Sequence, residues 1–510
     1  MFLYYGGDKY RGADDSAAPQ IFSTDFFTDD GTMVRAGHSL PVASRNSNAS
    51  FDDRLRHKAH LQLAGHGFDV WARYTRGGIR GDATRRGYID LPIDQLLEGG
   101  TGYQQITFLG SYQRQLNDWL NLDTMLSYDI TDVQVAGPGN PGTHWREDEF
   151  QTRLIATITP HADHHAALGL EFSHEGWGKK SLGDDEPSNN FGLARGENWD
   201  TDTLSGFAEH QWTPNKYVVT VVGLRIDKHS YTKWMHSPRA SIIGTPTDRD
   251  TVKLGYNRSV RRADDAVMRR TKNATGENDV VETIDNLELR YERQQSDHLQ
   301  LAAVWYYNWH DVVSFNGDPA VLRTDKIGRL QTYGLEFELA YRTKATDITL
   351  SHNFTKHVDL KLTRDTATQN LSASPYGYGN DLANWSNHLT KLTARHELTD
   401  QWAVSASARI YWGYPGGEDL ADYHEEDPVL NGTSNLLPLA EDSDEAFDAS
   451  VFVNLGVEYK ATDRLSFSAH GYNLLGLFDH KFNKRNQFQR TSQYRLEAPA
   501  FGMSVRFDLP

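Results

Sequence analysis

The side chains best suited to chemistry in this sequence are the guanidinium, aromatic, amide and imidazole groups Arg225, Asp227, Asn257, Arg261, Tyr306, His310, Arg409 and Tyr411. Paired guanidinium hydrogen bonds and ring stacking from such a set suit an anionic or aromatic ligand. The same groups could equally bind one another or a neighbouring protein segment. Asp422, His424, Glu425, Glu426 and Asp427 gather hard oxygen donors, with one imidazole, in a six-residue run. Calcium is the cation such a set would take, but the spacing is not that of a known calcium loop, and a solvated acidic loop reads as well. His161, Asp163, His164 and His165 could ligate a transition metal or form a plain polar turn. Arg258, Arg261, Arg262, Arg269, Arg270 and Lys272 could hold phosphates or an anionic ligand.

Catalytic motifs are missing. The sequence has no G-x-S-x-G elbow, no H-E-x-x-H and no Walker-type loop. With no cysteine, it forms no disulfide and uses no thiolate. We therefore expect a binding or transport protein with no cofactor rather than an enzyme. A formal charge of -17 argues against nucleic acid as the main partner.

The elements that must position these groups are long amphipathic strands. Leu299, Leu301, Ala303, Trp305, Tyr307 and Trp309 alternate with Gln300, Ala302, Val304, Tyr306, Asn308 and His310. Leu335, Phe337, Leu339 and Tyr341 alternate with Glu336, Glu338 and Arg342, and Val451, Val453, Leu455, Val457 and Tyr459 with Asn454, Gly456 and Glu458. Period two is the mark of a strand with two different faces. Charges at every second position are costly against lipid and cheap in a wet lumen. The eight candidate residues fall on the parity of the lumen face. Trp212, Trp305, Trp309, Trp402 and Trp412 suit the aromatic girdles where such strands leave the membrane.

Connections alternate too. Short polar turns stand at 115–118, 159–163, 213–216, 245–248, 294–297, 343–346, 397–400 and 460–463, and mostly longer polar stretches between them, such as 11–53, 77–101, 181–201, 262–281, 362–383 and 416–446. Turns on one side and loops on the other distinguish an outer-membrane barrel from a soluble sandwich or propeller. Only 38% of residues are hydrophobic and mean hydropathy is -0.63, too polar for several dry cores but suited to a barrel that exposes alternate residues to lipid. No run approaches the ~18 apolar residues of a helical span. The fold class expected is therefore all-β: a transmembrane antiparallel β-barrel of about 20 strands over residues 1–510, in the bacterial outer membrane. If the last strand, near 492–509, runs inward, counting back makes the first, 2–11, run outward, leaving a free edge in lipid. Met1-Phe2-Leu3-Tyr4 lacks the basic start and apolar core of a signal peptide, so we read a mature chain or one whose true beginning lies elsewhere.

An ordered set of motifs resembles the barrel part of TonB-dependent receptors. Phe207-Ala208-Glu209-His210-Gln211-Trp212 and Gly223-Leu224-Arg225-Ile226-Asp227 are similar to the family's aromatic and GLRYD strand pair; Ser237-Pro238-Arg239 and Val260-Arg261-Arg262-Ala263 to its SPR and FRAP-like segments. Glu282 to Leu289, Tyr306 to Asp311, Gly334 to Glu338 and Asn473 to Asp479 follow in family order. The resemblance implies a barrel of about 22 strands, an N-terminal plug filling the lumen, a TonB box, and energised uptake of a scarce ligand such as a ferric siderophore, haem or cobalamin. Plug and TonB box are absent from this sequence, and the strand count falls about two short. We therefore expect a plug-bearing N-terminal fragment or separate chain that carries the TonB contact, with membrane lipid and lipopolysaccharide as the other partners. The alternative function is a non-transporting barrel scaffold or surface receptor within an outer-membrane assembly. A passive porin is a third reading, disfavoured by the motifs.

Overall fold

The computed structural model describes residues 2–8, 25–27, 33–35, 38–40, 56–80, 100–137, 140–180, 182, 197–263, 265–276, 281–315, 324–362, 386–413, 449–478 and 500–507. In chain order the strands are β1 (Phe2–Asp8), β2 (Asp25–Phe27), β3 (Met33–Arg35), β4 (His38–Leu40), β5 (Arg56–Gly65), β6 (Phe68–Arg80), β7 (Gly100–Asn117) and β8 (Leu120–Gly137). There follow β9 (Asn140–His161), β10 (His164–Trp177), β11 (Trp199–Asn215), β12 (Val218–His229), β13 (Trp234–Thr247), β14 (Asp250–Arg262), the helix α1 (Asp265–Thr275), β15 (Val281–Gln294) and β16 (Leu299–Phe315). The last are β17 (Thr324–Arg342), β18 (Thr346–Leu362), β19 (His388–Glu397), β20 (Trp402–Trp412), β21 (Ser450–Thr462), β22 (Leu465–Tyr472) and β23 (Ala500–Phe507).

Twenty of these strands make one antiparallel sheet, the number expected from the turns. β1 pairs with β5, each strand from β5 to β23 pairs with its neighbour in sequence, and β2 to β4 form a small sheet of their own. Among the described residues no ladder joins β23 to β1, so the sheet is not closed. The described parts of the first and last strands are Phe2–Asp8 and Ala500–Phe507; the rest of the stretches 2–11 and 492–509 lies outside the described residues. Their directions are as counted: β23 runs toward the short-turn side and β1 away from it.

All nine connections on one side of the sheet are two to four residues long. One of them escaped the turn pattern: His66 and Gly67 close β5 to β6 with φ of 53° and 84°, the left-handed geometry of a two-residue hairpin. A Cβ at Gly67 would also collide with the Gln113 carbonyl of β7. On the other side, residues 230–233 make a tight connection among the long ones, and the stretch expected as an open loop at 262–281 contains α1.

The ladders fix which residues share a face. Leu289, Trp305 and Leu335 lie side by side, as do Leu301 and Leu339, and Ala408 and Val453. Large exposed apolar groups gather on that face, among them Leu170, Val222, Leu254, Phe337 and Leu455. Trp402 and Trp412 share it at opposite ends of β20, ten residues apart. At ~3.3 Å per residue and a tilt of ~40° they stand about 25 Å apart along the membrane normal, the height of an outer-membrane apolar band. Trp309 sits beside Asp285 and Gln331 at a polar border, whereas Trp305 lies between Leu289 and Leu335, inside the band rather than at its girdle.

Phe337→Arg places a guanidinium in lipid near mid-band, whereas Ser351→Arg on the adjacent strand's opposite face meets Glu338 and water. We expect Phe337→Arg to cost about 2–4 kcal/mol of folding stability and Ser351→Arg almost nothing, measured by reversible unfolding into bilayers. Equal costs would invert or abolish the facial assignment.

Candidate functional site

The seven candidate ligand residues, with Asp227, all stand on the face opposite the lipid band, on two stretches of wall. Arg225, on β12, is spent on its neighbours. Its Nη2 donates to Glu171 Oε1 and Ser205 Oγ at 2.8 Å each, its Nε donates to Asp227 Oδ1 at 2.8 Å, and its guanidinium lies 5.8 Å from the Phe207 ring centre. Antiparallel register brings this about, since Ser205 faces Asp227 and Phe207 faces Arg225 across β11 and β12.

Beyond it an amide relay crosses four strands. Asn257 Nδ2 donates to Asn286 Oδ1 (3.1 Å), Asn286 to Asn308 (2.8 Å), and Asn308 to Thr332 Oγ1 (3.3 Å). Arg261 pairs with Glu282, but its side chain is 75% exposed against 8% for Glu282, so most of its donors face open water. Glu282 and Arg261 are the leading charges acting on His310. Tyr306 shares a 2.5 Å hydrogen bond with Thr355 Oγ1 and lies over Gly334, where a Cβ would collide with its ring. On β20, Arg409 stacks 5.0 Å over the buried Phe452 ring and Tyr411 meets the same ring edge-on at 6.1 Å. Chemically the wall offers guanidinium, phenol and imidazole groups to a ligand in water.

The other candidate groups disperse. His161 lies 3.5 Å from Asp163, His164 stacks on His210, and His165 bonds Thr159. Among the described residues no three histidines or carboxylates are placed to hold a metal ion. Asp422, His424, Glu425, Glu426 and Asp427 lie outside the described residues. Of the basic run, Arg258 pairs with Asp285, Arg262 with Glu175 and Asp265, and Arg269 with Glu197, while Lys272 stands 5.0 Å over the Tyr231 ring.

The family model described as TonB dependent receptor-like, beta-barrel, matches residues 4–474. The chain belongs to this family of TonB-dependent receptor barrels. It is thus an outer-membrane β-barrel protein of receptor type. No curated protein sequence matches it. Similar solved structures include the siderophore receptor PirA from Acinetobacter baumannii (16% identity, 89% of this chain and 70% of that one, TM-score 0.64). A ferric enterobactin receptor (PfeA) mutant from Pseudomonas aeruginosa has 15% identity, covering 89% and 69%, with a TM-score of 0.65. The FrpB iron transporter from Neisseria meningitidis has 12% identity over 99% and 76%, with a TM-score of 0.68. At these identities the likeness is one of fold.

In this TonB-dependent receptor barrel the recognisable motifs build wall. Glu209, Gly223 and Arg239 are direct neighbours on three strands, and the missing side chain at Gly223 lets Arg239 reach across to pair with Glu209. Asn473 adopts φ of 48°, which asparagine tolerates, and its N–H donates to Asn454 Oδ1 (2.9 Å) as β22 ends in a 3-10 turn.

Sequence reasoning missed the clamp that holds α1. The β13 to β14 ladder stops at Arg239 and Asn257, beside Pro238, which has no N–H to give. β14 then runs on with β15 into α1. Asp265 in the first turn and Lys272 in the last complement the helix dipole, and Gly276 closes it at φ of 73°. Arg262 Nη1 donates to Asp265 (2.6 Å) and to His229 Nε2 (2.6 Å), its Nη2 to Glu175 (2.6 Å), and Thr201 Oγ1 donates to Asp265 (3.0 Å). Asp265 and His229 are buried, with Met268 beside them in the helix at 2% exposure. Glu175 and Arg262 lie 87 residues apart in sequence, so no local pattern announces the clamp.

Burial pushes the Asp265 carboxyl up, but the adjacent His229 ring and the Arg262 charge outweigh it and hold it below the usual carboxylate range. A depressed value means that its stabilisation is present above the unfolded carboxyl's pKa and is lost only as pH falls through the folded one. The Asp265 contacts of the clamp are therefore held at neutral pH and are lost only in acid. Breaking a buried charge pair costs roughly 3–5 kcal/mol. Asp265→Asn should thus speed amide exchange in α1 by on the order of 100-fold or more while the strands keep their protection. Unchanged exchange in α1 would show that the clamp does not hold the helix.

Proposed function

We propose that this barrel is the membrane-spanning part of a receptor that takes up a scarce ligand of the ferric siderophore, haem or cobalamin class. The observation that carries the reading is the polar lumen wall, where Arg261 and Arg409 present guanidiniums beside His310, Tyr411 and Phe452. Such a wall suits an anionic or aromatic chelate. The names of the siderophore receptors and iron transporter with the same fold favour iron chelates over the other two classes.

Transport in this reading belongs to a completed assembly. The edges of β1 and β23, unpaired among the described residues, would leave backbone donors and acceptors in lipid, which hydrocarbon does not tolerate. Two further strands, one outward and one inward, would fit between them with antiparallel pairing throughout. A plug-bearing N-terminal piece, upstream or on a separate chain, would bring these strands, fill the lumen and carry the contact with TonB.

A strain lacking this gene should fail to grow on one member of a panel of ferric siderophores, haem and cobalamin, and regain growth when chain and plug are restored together. Growth on every source would contradict uptake and favour the scaffold reading. In the completed receptor, Arg261→Ala and Arg409→Ala should each weaken ligand binding at least about 10-fold, as lost charge-assisted hydrogen bonds do. Arg225→Ala should lower the melting temperature and leave affinity unchanged, since its partners are all wall residues.

A further inference from the structure

The lipid-side face of β14 to β18 carries two polar tiers above the apolar band. In the lower tier Tyr256, Leu287, Tyr307, Tyr333 and Lys356 are successive cross-strand neighbours. In the upper, Arg258 faces Asp285, Asp285 faces Trp309, and Trp309 faces Gln331, with Asp311 facing Arg329 one step higher. The tyrosines are tied to the tier above: Tyr256 Oη donates to Asp285 (2.6 Å) and Tyr307 Oη to Gln331 (2.8 Å).

Both guanidiniums are held with donors to spare. Arg258 grips Asp285 through Nε (2.8 Å) and Nη2 (2.9 Å), and Arg329 reaches Asp311 through Nε alone (2.7 Å). Their side chains are 40% and 52% exposed. Each carboxylate also acts on the other arginine, so the four charges form one group rather than two pairs. Lys356 adds an exposed cation at the end of the tyrosine tier.

These strands leave the membrane toward the long loops, so the tiers stand at the headgroup level of the outer leaflet. Tyrosine rings favour the boundary between acyl chains and polar groups. Guanidiniums fixed by a carboxylate through one edge present the other edge, which matches a phosphate oxygen pair. We propose that this face is a docking site for a phosphorylated glycolipid of the outer leaflet, its phosphate on Arg258 and Arg329 and its sugars against the tyrosine tier. The lumen and its ligand play no part.

The test uses the purified full chain in detergent, titrated with diphosphoryl lipid A, its dephosphorylated form and phosphatidylethanolamine, with bound lipid counted by native mass spectrometry. The expected result is retention of diphosphoryl lipid A at least about 10-fold above the other two, unaffected by EDTA because guanidiniums rather than bridging cations hold the phosphate. Arg258→Gln with Arg329→Gln should abolish the preference, and Lys356→Gln, at an exposed site that leaves the fold alone, should weaken it about two- to threefold. Arg395→Gln on the lumen face should leave it intact. Equal retention of the dephosphorylated lipid, loss of binding in EDTA, or full retention by both the double variant and Lys356→Gln would each overturn the proposal.

Discussion

In hydrocarbon a backbone N–H or C=O without a partner costs several kcal/mol, and everything in this chain follows from satisfying that demand with strands. Strands that pair side to side expose alternate residues to lipid and to water. A sequence with mean hydropathy of -0.63 can then cross a membrane twenty times, because half of each strand never meets lipid. Short turns suffice on one side, since consecutive strands are neighbours. The other side is free to carry loops, and α1 with its buried clamp shows that one of these is folded against the wall.

The same demand decided what could be read from sequence. Alternation in β16, β17 and β21 gave their two faces correctly, because a slip of one residue would turn every charge into lipid. Strand number and direction followed from turns. The lumen parity of Arg225, Asn257, Arg261, Tyr306, His310, Arg409 and Tyr411 was legible for the same reason. What they bind was not. Arg225 has the same residue type as Arg261, yet the structure shows one guanidinium consumed by Glu171, Ser205 and Asp227 and the other mostly in water. Only cross-strand partners, 20 to 54 residues away for Arg225, tell these apart.

The family motifs recur in order because they solve wall-building problems. Gly223 lets an ion pair cross a strand, Gly334 makes room for Tyr306, and Asn473 turns β22 in the left-handed region. Such solutions are independent of cargo, so membership of the family carries the fold without the ligand. The group of Glu175, Thr201, His229, Arg262 and Asp265 around the start of α1 lies outside that shared vocabulary, as do the paired arginines on the lipid side. Both were hidden because their meaning lies in contacts between distant strands.

The central claim is that successive residues of each strand face lipid and water in turn. The chain has no cysteine, so single cysteines placed one by one from Leu299 to His310 in β16 each report alone. In membranes, a water-soluble thiol reagent should label positions 300, 302, 304, 306, 308 and 310, and a lipid-confined one should label 299, 301, 303, 305, 307 and 309. Labelling that repeats every three to four residues, or reaches all twelve positions from water, would contradict the barrel.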